Sequence, residues 1–204
     1  MKTLQDFWLM NWEEYQKLVN KISDDLRRLQ VEKGVCFKYI VPVLRGGGVL
    51  AVSLSHSLDV PQLLPIQYKY EFDDTNRYSP VEKLSCFELV RREEGINILV
   101  TEGNHCTGET AQRCIDKIKD CFPNCKIYYA SVGRDYSFLN YMNNTEYETY
   151  GILTNETEKL SQEECDKLGI KNKLCVYPWE NVEEEVIEVN NSLDYYREKT
   201  EATE

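Results

Sequence analysis

Apolar side chains recur at helical spacing near the start of the chain, at Trp12, Tyr15, Leu18, Val19, Ile22, Leu26 and Leu29. That period keeps one face apolar over about five turns. Asn11 stands just ahead of it and can accept from the first free amides, so a helix capped at Asn11 is predicted. The pattern then changes. Lys38 to Leu44 is a β-rich run, followed by Arg45-Gly46-Gly47-Gly48 and a stretch of helical character from Val49 to Leu58. Leu63 to Tyr70 reads as a second strand, and Ile96 to Thr101 is nearly continuous in apolar residues, as a strand buried on both faces would be. Thr107 to Phe122 returns to helical periodicity through Ala111, Cys114, Ile115 and Ile118, and Phe122-Pro123-Asn124 reads as its terminating turn. Lys126 to Val132 and Tyr147 to Leu153 look like further strands. An opening helix followed by repeated strand–helix units predicts an open α/β sheet with right-handed crossovers. Between Glu71 and Lys83 the chain is polar, which predicts a long mobile loop or a hairpin excursion.

Composition narrows the picture. A length of 204 residues suits one domain with a substantial core. With 35 acidic against 24 basic side chains the net charge is −11, which argues against nucleic acid or an anionic membrane surface as partner. A local basic site can still hold phosphate. The longest apolar run falls far short of the ~20 residues that span a bilayer, and Met1 to Met10 has neither the basic nor the apolar region of a signal peptide. A cytoplasmic protein is therefore expected. Its eight cysteines are scattered without a Cys-x-x-Cys pair, and only two histidines accompany them, so reduced thiols fit better than zinc or disulfides. Residues 180–204 hold nine acids against two bases, which reads as a solvated helix fraying into a tail.

Two strand-to-helix junctions could carry chemistry. In Val43-Leu44-Arg45-Gly46-Gly47-Gly48 the glycines let several N–H groups approach one anion, the following helix adds its positive end, and Arg45 supplies a permanent forked cation. It is neither a Walker A loop nor a Gly-x-Gly-x-x-Gly fingerprint. The second junction runs from Ile98 through Glu102-Gly103-Asn104-His105-Cys106 to Thr107-Gly108-Glu109-Thr110. Its two threonine hydroxyls and free amides suit a monophosphate, although a helix merely capped by Thr107 would look the same.

Taken together, the two junctions resemble the type I phosphoribosyltransferases, and within them the hypoxanthine and xanthine-guanine branch. Leu44-Arg45-Gly46-Gly47 is similar to that family's pyrophosphate turn. Thr107-Gly108-Glu109-Thr110, about sixty residues on, is similar to its Thr-Gly-x-Thr loop for the 5-phosphate. Val176-Tyr177-Pro178-Trp179-Glu180 looks like a Phe-Pro-Trp-Glu ending, and Trp12-Glu13-Glu14-Tyr15 like the opening. The resemblance implies a type I phosphoribosyltransferase-like fold over residues 1–180, with a mainly parallel sheet and a small hood from about residue 133. Residues 181–204 would form an acidic helical extension. It also implies a small-molecule substrate pair, phosphoribosyl pyrophosphate and a nucleobase, with Mg2+ carried by the former rather than by a protein cage, and a homodimer.

The same resemblance implies roles for residues. Leu44, Arg45, Gly46 and Gly47 would hold pyrophosphate; Glu102, Gly103, Thr107, Gly108, Glu109 and Thr110 would hold ribose 5-phosphate. Arg134, Leu174 and Cys175 would form the base pocket, and Arg77, Tyr78 and Ser79 would reach over from the flexible loop. Glu102, Cys106 and Arg45 are the catalytic candidates. Glu102-Gly103 stands where the family carries two adjacent acids, and Cys106 where a third Asp often stands. Two functions therefore compete: transfer of phosphoribose from phosphoribosyl pyrophosphate to a heterocyclic base, and a non-catalytic module that only binds such a phosphorylated ribose. A Cys106–His105 nucleophilic pair is a weaker third, since neighbours on one loop rarely face each other.

Overall fold

The computed structural model describes residues 2–72, 78–139 and 142–190. Helix α1 spans Trp12–Lys33, and Asn11 caps it reciprocally with Glu14: each accepts from the other's backbone N–H at 2.9 Å. Gly34, in the left-handed region at φ 64°, ends it. The apolar spacing of the sequence becomes a buried face of Tyr15, Val19, Ile22, Leu26 and Leu29. Trp12, at the edge of that face, stays 57% exposed.

Six strands form the main sheet. β2 (Phe37–Leu44), β5 (Asn97–His105), β6 (Lys126–Asp135) and β7 (Tyr147–Thr154) run parallel, as does β3 (Ile66–Phe72), while β4 (Tyr78–Ser85) returns antiparallel; the order is β4-β3-β2-β5-β6-β7. Alternate residues of a strand face opposite sides. Leu99 therefore joins Ala130 and Val132 under α1 and α2 (Gly46–Leu58), whereas Ile98 and Val100 join Ile127 and Tyr129 under α3 (Glu109–Cys121). The layered α/β sheet expected from the repeated units is present.

Three local expectations change. The glycine triplet is the first turn of α2 itself, with Arg45 in the capping position, because the chain turns helical immediately after the strand. α3 is capped by Gly108 at φ 75° rather than by Thr107. β5 extends past Thr101 to His105, since β6 continues alongside it and pairs Asn104 with Gly133 and His105 with Arg134. Of the two forms expected after Glu71, the hairpin is the one present: β3 and β4 pair from Ile66↔Ser85 to Phe72↔Tyr78, with a register shift between Gln67 and Tyr68 and residues 73–77 outside the description.

Both ends of the chain build the hood. β1 (Phe7–Leu9) pairs in parallel with β8 (Leu174–Val176), and α4 (Gln162–Leu168) lies between β7 and β8 in sequence. Strands of three residues are too short to show a period, so the sequence pattern did not disclose them. α4 had a readable signal, Ser161 with Glu164 as a capping box and Gly169 in the left-handed region.

The first turn of α2 lies directly on the end of β5. A Cβ on Gly47 would overlap the carbonyl oxygen of Thr101, whose own hydroxyl donates to the Gly47 carbonyl at 3.0 Å. Gly47→Ala is expected to destabilise the fold by about 1–3 kcal/mol through forced separation of these backbones. Chemical denaturation of the two proteins side by side checks this, and an unchanged midpoint would contradict the close packing.

Candidate functional site

The carboxyl ends of parallel strands in such a sheet open into a crevice bounded by the following loops. Here that crevice is a cleft of about 720 Å3. Leu44, Arg45 and Gly46 form one side, Gln67 to Tyr70 of β3 a second, and Trp179 to Asn181 a third. The Leu44–Arg45 peptide is cis. The fourth side is the C-terminal helix, described over residues 182–190, which presents Glu184, Glu185, Ile187 and Glu188. Asn181 starts this helix by accepting from the backbone N–H groups of Glu183 (2.9 Å) and Glu184 (3.2 Å). Asn190 pins it to the N-terminus, accepting from the Lys2 N–H at 2.6 Å and donating to its carbonyl at 3.0 Å. The described half of the acidic extension is helical, and it borders the cleft with Ile187 still 61% exposed. Residues 191–204 lie outside the described residues.

Charge in this cleft is opposed. Burial pushes Glu180 up to about 7, with Arg45 pulling the other way, and Glu185 is raised by burial and by Glu188. Glu180 also accepts from the Tyr177 N–H at 2.8 Å. Trp179 stacks on Tyr177 at 5.1 Å and meets Tyr15 edge-on at 4.8 Å, so the Pro-Trp-Glu segment locks the hood to α1.

Under the same helix lies a smaller cavity of about 140 Å3, bounded by Asn104, Cys106, Glu156, Leu174 and Cys175, with Phe7 on the hood side. Glu185 and Glu188 border both cavities, which therefore adjoin. Burial lifts the Cys106 thiol well above its ordinary range, so it is no thiolate nucleophile at neutral pH. Cys175 is raised for the same reason.

The acid expected to hold ribose is elsewhere. Glu102 accepts a hydrogen bond from the Tyr129 hydroxyl, which also meets His105 Nδ1 at 2.9 Å. Burial holds Glu102 up at about 7 and His105 down at about 3, so the imidazole is neutral. This buried chain lies on the α3 side of the sheet, and Glu102 lines neither cavity. Arg134 belongs to the same layer. Its side chain is 1% exposed, is ion-paired to Glu148 and donates to the Leu139 carbonyl at 2.8 Å. It does not reach the base cavity as the sequence suggested, because β6 turns it inward.

Gly103 has a steric reason. Its Cβ would stand 3.0 Å from Gly46 Cα, and its carbonyl accepts from the Tyr177 hydroxyl at 2.8 Å. Of the phosphate-loop residues, Thr107 is buried and accepts weakly from the Glu109 N–H at 3.5 Å, and the Thr110 hydroxyl lies 3.5 Å from that of Tyr70 on the cleft wall. Glu109 pairs with Arg113 at 3.1 Å along α3. Ser79 pairs with Glu71 within the hairpin and Tyr78 with Phe72, whereas Arg77 lies outside the described residues. Leu44, Arg45 and Gly46 are brought to the main cleft, and Cys106, Leu174 and Cys175 to the smaller cavity. Sequence reasoning missed Asn104 and Glu156, and it expected the C-terminal helix without its place beside the cleft. Asn155-Glu156-Thr157 carries no pattern that separates it from an ordinary polar loop.

The fold is shared with known proteins. No protein-family model matches the chain, and no curated protein matches it in sequence. Among solved structures it is similar to a purine phosphoribosyltransferase from Pyrococcus horikoshii, with TM-score 0.59 and 20% identity over 86% of this chain and 95% of that one. A xanthine-guanine-hypoxanthine phosphoribosyltransferase from Helicobacter pylori gives TM-score 0.60 and 16% identity, covering 89% and 99%. A hypothetical protein from Neisseria gonorrhoeae with bound ppGpp gives TM-score 0.59 and 13% identity, covering 98% of both chains. The chain thus has the type I phosphoribosyltransferase fold. Among the described residues no helix is long and apolar enough to cross a membrane, and no cluster of metal-ligating side chains is present.

Three buried carboxyls, Glu102, Glu156 and Glu180, are held at about 7, 8 and 7. The native state therefore retains protons that an unfolded chain, with ordinary glutamate pKa near 4.3, has already released. Their contribution to stability is complete below that value and is lost as pH rises through 7 to 8. The thermal midpoint is expected to fall between about pH 5 and pH 8.5, and a Glu102→Gln, Glu156→Gln double variant to fall less steeply. A midpoint that climbs over this interval would contradict the assignment.

Proposed function

We propose that the chain is a divergent phosphoribosyltransferase that binds Mg2+-carrying phosphoribosyl pyrophosphate in the main cleft and transfers its phosphoribosyl group to a heterocyclic base in the adjoining cavity. The observation that carries this reading is the meeting of the Arg45–Gly46 turn and the segment leading to Thr107–Thr110 at the ends of neighbouring parallel strands, in backbone contact at Gly46 and Gly103. Arg45 and the first amides of α2 would take the pyrophosphate, and the start of α3 with Thr107 and Thr110 the 5-phosphate. The bond from C1 to the pyrophosphate oxygen breaks with its electron pair going to pyrophosphate. A ring nitrogen then bonds C1 and sheds its proton to water. Negative charge leaving C1 collects beside Arg45, which is where a fixed cation lowers the barrier.

The acids opposite Arg45 also fit this substrate. Glu180, Glu184, Glu185 and Glu188 would repel bare phosphates, but the magnesium ions that the substrate carries offer them positive charge. As in the family it resembles, a homodimer is expected.

A second reading is favoured by one specific feature. Glu102 is tied to Tyr129 beneath the sheet and Gly103 has no room for a side chain, so neither of the paired acids that would read the ribose hydroxyls enters the cleft. A module that binds a phosphorylated nucleotide without turnover would tolerate that arrangement, and one structural neighbour carries bound ppGpp.

Calorimetric titration with phosphoribosyl pyrophosphate, followed by assay of pyrophosphate release over a panel of bases, separates the two. Binding with release is expected. Arg45→Ala should weaken binding by roughly ten- to a hundredfold, the worth of a charge-assisted hydrogen bond of about 1.5–3 kcal/mol. Removing Mg2+ should weaken it as well. Binding without release on any base would select the module, and no binding would sink both.

A further inference from the structure

The C-terminal helix lies where the molecule offers it no core. Among the described residues, none from 182 to 190 joins either of the two apolar clusters, and Ile187 is 61% exposed. Nine helical residues, the stretch described, are marginal by themselves in water, so tertiary contacts must fix them. Asn181 caps the start. At the far end the Asn190 side chain brackets the Lys2 backbone, accepting at 2.6 Å and donating at 3.0 Å. Segments with few buried apolar contacts are the ones that open at low free-energy cost.

This loosely held helix stands over the candidate site. It borders the main cleft through Glu184, Glu185, Ile187 and Glu188, and the smaller cavity through Glu185, Glu188 and Val189. Residues 180–190 contain five acids and no base. Arg45, on the opposite side of the cleft, pulls the carboxyls of Glu180 and Glu185 down against burial. The Arg45 cation is thus already met by carboxylates of the same chain, and an incoming anion must overcome their repulsion.

We propose that the helix over residues 182–190 is an autoinhibitory strap: fastened by Asn190 to Lys2, it keeps phosphate-bearing ligands from Arg45 until it moves aside. The strap opposes entry in two ways. Its body bounds both cavities, and its carboxylates repel phosphate oxygens. Magnesium on an incoming polyanion weakens the second effect and leaves the first, so release of the fastening helps metal-free and metal-bearing anions alike. A closed strap lowers the apparent affinity by the fraction of molecules that are open, so loosening it tightens binding. The inference rests on reading the main cleft as a phosphoribosyl pyrophosphate site, and it adds how access to that site is controlled.

The test uses the full chain and inorganic pyrophosphate, titrated calorimetrically with Mg2+ and with EDTA, while mass spectrometry follows backbone hydrogen exchange over residues 182–190. Saturating pyrophosphate is expected to speed exchange in that helix in the wild type. Asn190→Ala should speed it without ligand and raise the apparent affinity about fivefold or more, the least that losing two neutral hydrogen bonds implies. Glu185→Gln with Glu188→Gln should raise affinity more in EDTA than in Mg2+. Pyrophosphate binding that leaves exchange in the helix unchanged or slower would overturn the strap and leave the cleft reading standing. So would an Asn190→Ala chain whose helix is freed without a gain in affinity. If the helix is freed and neither pyrophosphate nor phosphoribosyl pyrophosphate binds, the cleft reading falls and the strap with it. Should Asn190→Ala disturb the fold or leave the helix protected, the wild-type exchange experiment and the paired glutamine variant decide the matter.

Discussion

Most of this structure depends on one close backbone approach, the first turn of α2 lying on the carboxyl end of β5. Gly47 has no room for a Cβ against Thr101, and Gly46 and Gly103 face each other with hydrogen in place of side chains. Because of it the Arg45 turn and the strand leading to Cys106 share one floor. It also leaves the Gly103 carbonyl open to the Tyr177 hydroxyl. Tyr177 stacks on Trp179, and Trp179 packs on Tyr15 of α1. The glycines therefore connect the sheet, the hood and the first helix through a single chain of contacts.

Charge is sorted by the same geometry. Below the sheet, Glu102, Tyr129 and His105 form a buried polar line, with Arg134 and Glu148 paired nearby. Above it, Arg45 faces acids of the Pro-Trp-Glu segment and the C-terminal helix. The net charge of −11 is thus unevenly spent, and part of it borders the two cavities, where it opposes free anions and suits ligands that arrive with their own cations or without charge.

The departures of Glu102-Gly103 and Cys106 from the family pattern gain a physical meaning here. Gly103 is where two backbones touch, so an acid restored there would push α2 away rather than rebuild a ribose contact. Cys106 is a neutral wall of the smaller cavity, with its thiol raised by burial. Asn104 and Glu156 join beside that cavity from two strands' ends, a pairing made across 52 positions of sequence.

Elements long enough to show a period were legible in the sequence alone. α1 with its Asn11 cap, the apolar strands β2 and β5, α3 and the Arg45–Gly47 turn all follow from local spacing and capping chemistry, which depend on neighbours within a few residues. The position of the smaller cavity's Leu174 and Cys175 came from the resemblance to a known family, not from spacing. Only the tertiary structure decided the rest. β1 and β8 are three residues each and exist because they pair with one another from opposite ends of the chain. Glu102 and Arg134 turned away from the cavities into one layer with Tyr129, His105 and Glu148, contacts between strands that no local spacing reports. The acidic helix became a wall because Asn190 and Lys2 meet, and no local pattern encodes a contact between residues 188 positions apart.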